Sequence, residues 1–378
     1  MSLFATPFHA RAAAANRHNA WQTRGGFTLA SCYTSSEEEA IAARFGVVMA
    51  DISWHWRIEI AGIHARDLVA RLFTRNAASL AVGTALEALW LNDSGAVRGA
   101  GTVVRSGEDS FLLVSSLADV DWIAGAARVY GVEVRDATAS EGGLALIGPA
   151  AGRLLAAAGI DAAAEPMSFA KAAWRGLDLT LSRFGLGYEL WCEPDAALIV
   201  WDRLAAAGGG CALCPAGQEA LDILEVESGV MRAGRDYTPA RDGFCGRPSP
   251  QALGLSGLVD RSHVFNGRAG VLAAGADASL AGVLIDGETP LADTVLTLEG
   301  RQVGRTLSSR YSPALKGAVA FAVLTDPRPA GAMMAGATPC RPVALPFLAI
   351  PAPMDATETG SQGVQRSRTA GDWSWMPR

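Results

Sequence analysis

Trp54-His55-Trp56 sets an imidazole between two indoles. A neutral imidazole takes or gives a proton near physiological pH, so His55 is a candidate general acid or base. The indoles offer flat faces on which an aromatic ring stacks, worth about 0.5–1.5 kcal/mol per pair. Strand alternation would turn Trp54 and Trp56 to one face and His55 to the other, so the three side chains do not all serve one site. Asp236-Tyr237 follows Gly234-Arg235 and pairs a carboxylate with a phenol, the acid and base a phenolic substrate would need; a loop whose Asp caps the next segment is the slightly better reading. Lys171 would form a Schiff base only if buried with a depressed pKa, and a surface lysine is the better reading. Cys211-Ala-Leu-Cys214 has no second CxxC or HxxxH to complete a zinc set, so the six cysteines read as reduced thiols and no metal is expected.

These groups must be positioned by a chain of 378 residues and 39.2 kDa, enough for two to three domains at about 100–200 residues each. Half of it is apolar and 19% charged, which excludes disorder throughout. The net charge is -6, with both signs interspersed, so the basic stripe of a nucleic-acid binder is missing. Lys171 and Lys316 stand against thirty arginines, a compositional bias without functional content. Every apolar stretch is broken by Arg, Asp or Gly before the roughly 20 residues a membrane span requires, and no secretory pattern opens the chain. A cytoplasmic protein acting on a small molecule is expected, with no nucleic-acid or membrane partner and an oligomeric state left open.

Helix formers at 38–45 behind Ser35-Ser36 predict a helix ending near Gly46. Residues 47–52 and 56–60 read as strands, 65–72 as a helix, and 88–91, 100–104 and 111–114 as strands. A helix is predicted over 117–129, then strands at 132–134 and 144–147 and a helix through Leu155. The pattern returns with strands 177–181 and 188–192 and helices 196–207 and 216–227. After Gly254, short β runs at 281–285, 294–298, 302–306 and 318–323 predict a small all-β module. The polar stretch beyond Pro353 reads as a flexible tail, in which Trp373 and Trp375 are costly unless they dock.

Several strings recur in a fixed order: Asp51-Ile-Ser53, Asn92-Asp-Ser-Gly95, Leu146-Ile-Gly148-Pro149, Gly185-Leu-Gly187-Tyr-Glu189-Leu, Leu224-Glu-Val-Glu-Ser-Gly229, Phe265-Asn-Gly-Arg268, and Val303-Gly304 with Ser308-Ser-Arg-Tyr-Ser312-Pro313. Together they resemble the folate-binding aminomethyltransferase family, whose best-known member is the T-protein of the glycine cleavage system. The resemblance implies an α+β fold of three domains around a central channel that holds tetrahydrofolate, with a small C-terminal β-barrel-like module. The domains expected are 1–145, 146–253 and 254–353, followed by the tail 354–378.

Departures from that family narrow the chemistry. Arg98-Gly99-Ala100-Gly101 stands where T-proteins carry a catalytic carboxylate, Leu221 replaces an arginine, and Ser115 replaces an asparagine. Glu189, beside Tyr188, matches the glutamate that accepts hydrogen bonds from the pterin, so folate binding is expected to be weakened or lost. In the string Asp51-Ile-Ser53-Trp54-His55-Trp56 bulky rings replace the family's flexible methionine and small glycine, and Arg98 is placed to meet a substrate carboxylate or phenolate. Tyr33, in the segment that lines the family's channel, completes the candidate set. The expected enzyme removes a one-carbon unit from a small aromatic substrate, by tetrahydrofolate-dependent demethylation or by folate-independent release of formaldehyde. The alternatives are a glycine-cleavage aminomethyltransferase and a non-catalytic folate-binding helper. The helper's Lys-Gly-Cys-Tyr-x-Gly-Gln string is absent from the sequence.

Overall fold

A computed structural model describes residues 3–161, 165–241, 248–274, 279–326 and 331–351. The expected tail, with Trp373 and Trp375, lies outside the described residues. The chain forms two compact units: residues up to Trp54 with Thr138–Leu224 and the chain from Ile350, and His55–Ala137 with Glu225–Ala349. The boundary expected at 145/146 falls inside the strand Gly142–Ile147.

The first unit is built on a six-stranded mixed sheet in the order Phe169–Trp174, Leu177–Ser182, Gly187–Cys192, Gly142–Ile147, Val47–Asp51, Leu213–Pro215. Val47–Asp51 is buried on both faces, which is why it reads as an unbroken apolar run rather than an alternating one. Val47 and Met49 join one core with Leu144, Leu146 and Leu190, while Val48 and Ala50 join another with Ala40, Ala43 and Leu224. The helix Ser36–Phe45 begins where Ser35 Oγ accepts the Glu38 N–H at 3.2 Å, with three glutamates in its first turn. Glu39, 1% exposed, accepts N–H groups from Tyr33, Thr34 and Gly217 at 2.6, 2.8 and 2.7 Å, tying two loops to this helix.

In the second unit a five-stranded antiparallel sheet runs Ala85–Leu91, Val97–Gly107, Ser110–Ser115, Trp56–Ala61, Glu133–Asp136. Ile58, Ile60, Val103, Phe111 and Leu113 pack with Leu68, Leu72 and Ile123 of the helices Ala65–Leu72 and Val120–Ala127. Gly99 is demanded by Trp90, because a Cβ there would lie 2.1 Å from the indole. The C-terminal strands close into a six-stranded barrel in the order Ser279–Ile285, Gly317–Leu324, Arg301–Ser312, Val295–Leu298, Met333–Ala335, Thr338–Val343. Val283, Leu296, Ala320, Ala322 and Leu324 fill it, as the predicted all-β module requires. No helix among the described residues is long and apolar enough to cross a membrane.

Candidate active site

One end of the five-stranded sheet gathers polar groups. Trp56, which opens its strand, lies opposite Ser115, which closes its own, and Asp136 pairs with Ile58 at the same end. The Ser115 hydroxyl donates to Ala100 O and accepts the Leu117 N–H, both at 3.1 Å, turning the chain toward Asp119. Asp119 occupies the N-cap position of the helix Val120–Ala127, yet its carboxylate does not cap it. It accepts the Trp90 indole N–H at 2.8 Å and two guanidinium N–H groups of Arg98 at 3.1 and 3.0 Å. The Arg98 guanidinium lies 4.7 Å from the centre of the Trp122 ring. Asp119 and Arg98 are each 4% exposed, so this bidentate pair is shielded from solvent. Arg241 reaches the same carboxylate at only 3.5 Å and donates to Ala118 O at 3.0 Å, with its side chain 45% exposed.

Beside Asp119 lies an open cavity of about 410 Å³, lined by Trp56, Ala118, Asp119, Val120, Asp121, Asp136 and Arg241. A second of about 440 Å³ shares Asp119, Asp121 and Arg241 with it and adds Arg98 and Trp122. Each is large enough for a small aromatic molecule. An aromatic face, guanidinium groups and carboxylates together can stack a ring, hold an anionic or hydrogen-bonding group, and take up a proton.

Trp56, Ser115 and Arg98 are thus gathered at one end of the sheet, while the other expected residues lie elsewhere. His55 is half-buried in the turn before the strand and does not line the cavity. Trp54 is buried in the first unit against Phe27 and Leu29, its indole N–H donating to Gln218 Oε1 at 2.9 Å and the Arg24 guanidinium 5.5 Å from its ring. Tyr33 sits in the first unit's core, where burial, with the nearby Asp51 and Glu39, pushes its phenol well above the usual range. Tyr188 belongs to the same core. Asp236 receives the Arg232 N–H, two N–H groups of Arg235 and the Ser308 hydroxyl, at 2.6–2.9 Å. Tyr237 packs among Leu89, Leu91, Val97 and Phe265, and burial next to Asp236 drives its phenol upward. Asp119, Asp121, Trp122, Asp136 and Arg241 were not singled out in the sequence. Asp119 falls inside the helix predicted over 117–129, which in fact begins at Val120, and nothing local marks Arg241.

Tetrahydrofolate, implied by the resemblance, needs polar partners along the pterin edge. Glu189 is a half-buried carboxylate that accepts the Trp191 indole N–H at 3.2 Å. Leu221 lies in an apolar core, the Ser115 hydroxyl is used within its own turn, and Arg98 is closed on Asp119. These residues do not make the polar set that a pterin would take. Among the described residues no three His, Cys, Asp or Glu side chains gather as metal ligands.

The family model described as the GCVT N-terminal domain matches residues 8–247. An aminomethyltransferase of Frankia alni is 32% identical over 301 residues, covering 76% of this chain and 80% of that protein. A trimethylamine-oxide aldolase of Ruegeria pomeroyi is 30% identical over 321 residues; the match covers 79% of this chain but 40% of that protein's length. The crystal structure of glycine cleavage system aminomethyltransferase T from Bartonella henselae shares the fold, with a TM-score of 0.81 at 22% identity over 92% of this chain and 99% of that one. With most of its length matched by sequence and by fold, the chain belongs to the folate-binding aminomethyltransferase family, enzymes that act on one-carbon units.

Proposed function

We propose that this enzyme removes a one-carbon fragment from a small aromatic molecule and releases it as formaldehyde without folate. The observation that carries the reading is the open depression beside Trp56, Asp119 and Arg241, which offers a ring-stacking face and charged groups side by side. The trimethylamine-oxide aldolase relative is consistent with lyase chemistry on this scaffold. In the proposed reaction a carboxylate takes the hydroxyl proton of a CH2OH arm, and the O–H electron pair becomes the C=O of formaldehyde. The C–C bond breaks, and its electron pair takes up a proton at the carbon left conjugated with the ring. Asp121, exposed and lining both cavities, is the proposed base. Arg98, held by Asp119, is a positioning residue for the wall that faces the substrate. His55, Asp236 and Tyr237 have no part in this proposal.

Tetrahydrofolate-dependent demethylation is the second reading, favoured by the half-buried Glu189 on the string that matches the family's pterin-binding glutamate. Under either reading the enzyme is proposed to act in the cytoplasm. One experiment separates the two: incubate the full chain with hydroxymethyl-bearing and methoxylated aromatics, with and without tetrahydrofolate, and assay formaldehyde and methyl-folate. Formaldehyde from the hydroxymethyl compounds at equal rates with and without folate supports the lyase. Product only in the presence of folate overturns it.

A further inference from the structure

We propose that two copies of this chain pair edge to edge through the strand Glu133–Asp136, antiparallel about a two-fold axis at Val134. This strand borders the five-stranded sheet. The sheet's other border is covered: Thr74 N–H donates to Leu89 O at 2.9 Å, and the Thr74 hydroxyl accepts the Leu89 N–H at 3.0 Å. The barrel of the same unit is closed and has no border. Glu133–Asp136 is short, but it carries no proline, glycine, lysine or bulge of the kind that blunts an open edge. Its defence against other strands is charge, and that charge pattern is complementary to itself.

The register shows which groups the edge offers. Ala137 N–H donates to Arg57 O at 2.8 Å, so these two form a hydrogen-bonded pair of the ladder, and by alternation so do Glu59 with Arg135 and Ala61 with Glu133. Val134 and Asp136 therefore turn their backbone groups outward, and those of Val134 meet no partner among the described residues. Because both copies offer the same alternate positions, a symmetric pair has to centre on one residue. Centring on Glu133, Arg135 or Asp136 sets each against its own like charge. Centring on Val134 lets the two valines exchange both N–H···O bonds. Glu133 of each copy then stands opposite Arg135 of the other in a non-hydrogen-bonded pair, where cross-strand side chains come closest. Arg135 already holds Glu59 at 2.6 Å across its own sheet, so Glu59, Arg135 and Glu133 of the second copy form a row of alternating sign. The same axis brings the turn 128–131 of one copy, with Val129 87% exposed, toward the Asp136 end of the other copy's strand, beside the open depression.

The test is sedimentation velocity of the full chain from about 1 to 100 μM, a range suited to the small interface of one strand pair. The chain should pass from monomer to dimer across it. Glu133→Arg and Arg135→Glu should each weaken the dimer at least tenfold, because each puts like charges opposite one another across the axis. Both side chains are exposed, so the circular dichroism of each variant should match that of the unaltered chain. Mixed in equal amounts, the two variants again set arginine against glutamate and should form a heterodimer within a few-fold of the original affinity. Val134→Pro removes the N–H at the axis without removing a bond to the neighbouring strand; it should also weaken the dimer at least tenfold, and it serves as the test if a charge variant fails to fold. A chain monomeric over the whole range, a dimer indifferent to these replacements, or a mixture of the charge variants that stays monomeric overturns the proposal.

Discussion

Replacing Asp119 by alanine takes one acceptor away from three donors at once. The Trp90 indole N–H, on a side chain with no exposure, loses its 2.8 Å partner, and the 4%-exposed Arg98 guanidinium loses both of its short bonds to this carboxylate. Removing one member of a buried ion pair costs about 3–5 kcal/mol, mostly because the surviving charge has been desolvated without compensation. The unit that holds the pair runs over His55–Ala137 and Glu225–Ala349. At about 2–4 °C per kcal/mol for a domain of that size, the melting temperature should fall by about 6–20 °C. The double replacement Asp119→Leu with Arg98→Met removes both charges in similar volume and should recover most of the loss. Thermal denaturation of the two singles and the double forms the cycle. A shift under 2 °C for Asp119→Ala, or a double variant as unstable as the single, would refute the reasoning that this pair is buried and mutually dependent.

Trp56→Ala should raise KM for an aromatic substrate about 2- to 12-fold with little change in kcat, since stacking of about 0.5–1.5 kcal/mol acts on bound ring and transition state alike; steady-state kinetics reads the split. Trp54→Phe should leave KM unchanged and cost about 1 kcal/mol of stability through the lost bond to Gln218, measurable by urea titration. Burial holds the Glu39 carboxyl above its ordinary 4.5, against the backbone N–H groups that pull it down. The folded chain therefore keeps a proton that the unfolded chain has lost between that value and the raised one, and this contribution to stability falls as pH rises through the window. Glu39→Gln should flatten that slope in denaturation series, and an unchanged slope would contradict the assignment. Ser308→Ala removes a 2.6 Å donor from Asp236 and should cost about 1.5–3 kcal/mol in the same assay.

Long periodic segments were legible, and the residues around the cavity less so. The helix at 36–45, the strands at 47–51 and 56–61 and the β character after Gly254 follow from capping, apolar runs and alternation that act over a few residues. The strand alternation applied to Trp54, His55 and Trp56 does not hold there, because the strand begins at Trp56. Asp51 Oδ1 accepts both the N–H and the hydroxyl of Ser53, at 3.0 and 2.7 Å, and this turn separates the two strands. The strand expected at 100–104 begins at Val97, because Gly99 and Gly101 lower its apparent strand propensity while Trp90 supplies the packing that overrides it. Arg98 was singled out, but its partner Asp119 lies 21 positions on, beyond any local pattern. Arg241 sits on irregular chain and carries no periodic signal at all.

The Gly99–Trp90 contact also has a bearing on ancestry. A carboxylate at Gly99, within the stretch 98–101 where the resemblance places one in T-proteins, would drive a side chain into an indole that stands 2.1 Å from the Cβ site. Gly101 is no more permissive, since a Cβ there would lie 2.6 Å from Val114 O. Trp90 in turn holds Asp119, so shrinking the indole to make room would release an acceptor bond at the cavity wall. A carboxylate at Gly99 or Gly101 therefore has no room unless a second residue changes with it. Gly99, Trp90 and Asp119 are thus sterically and electrostatically linked, so a change at one is felt at the cavity wall through the other two.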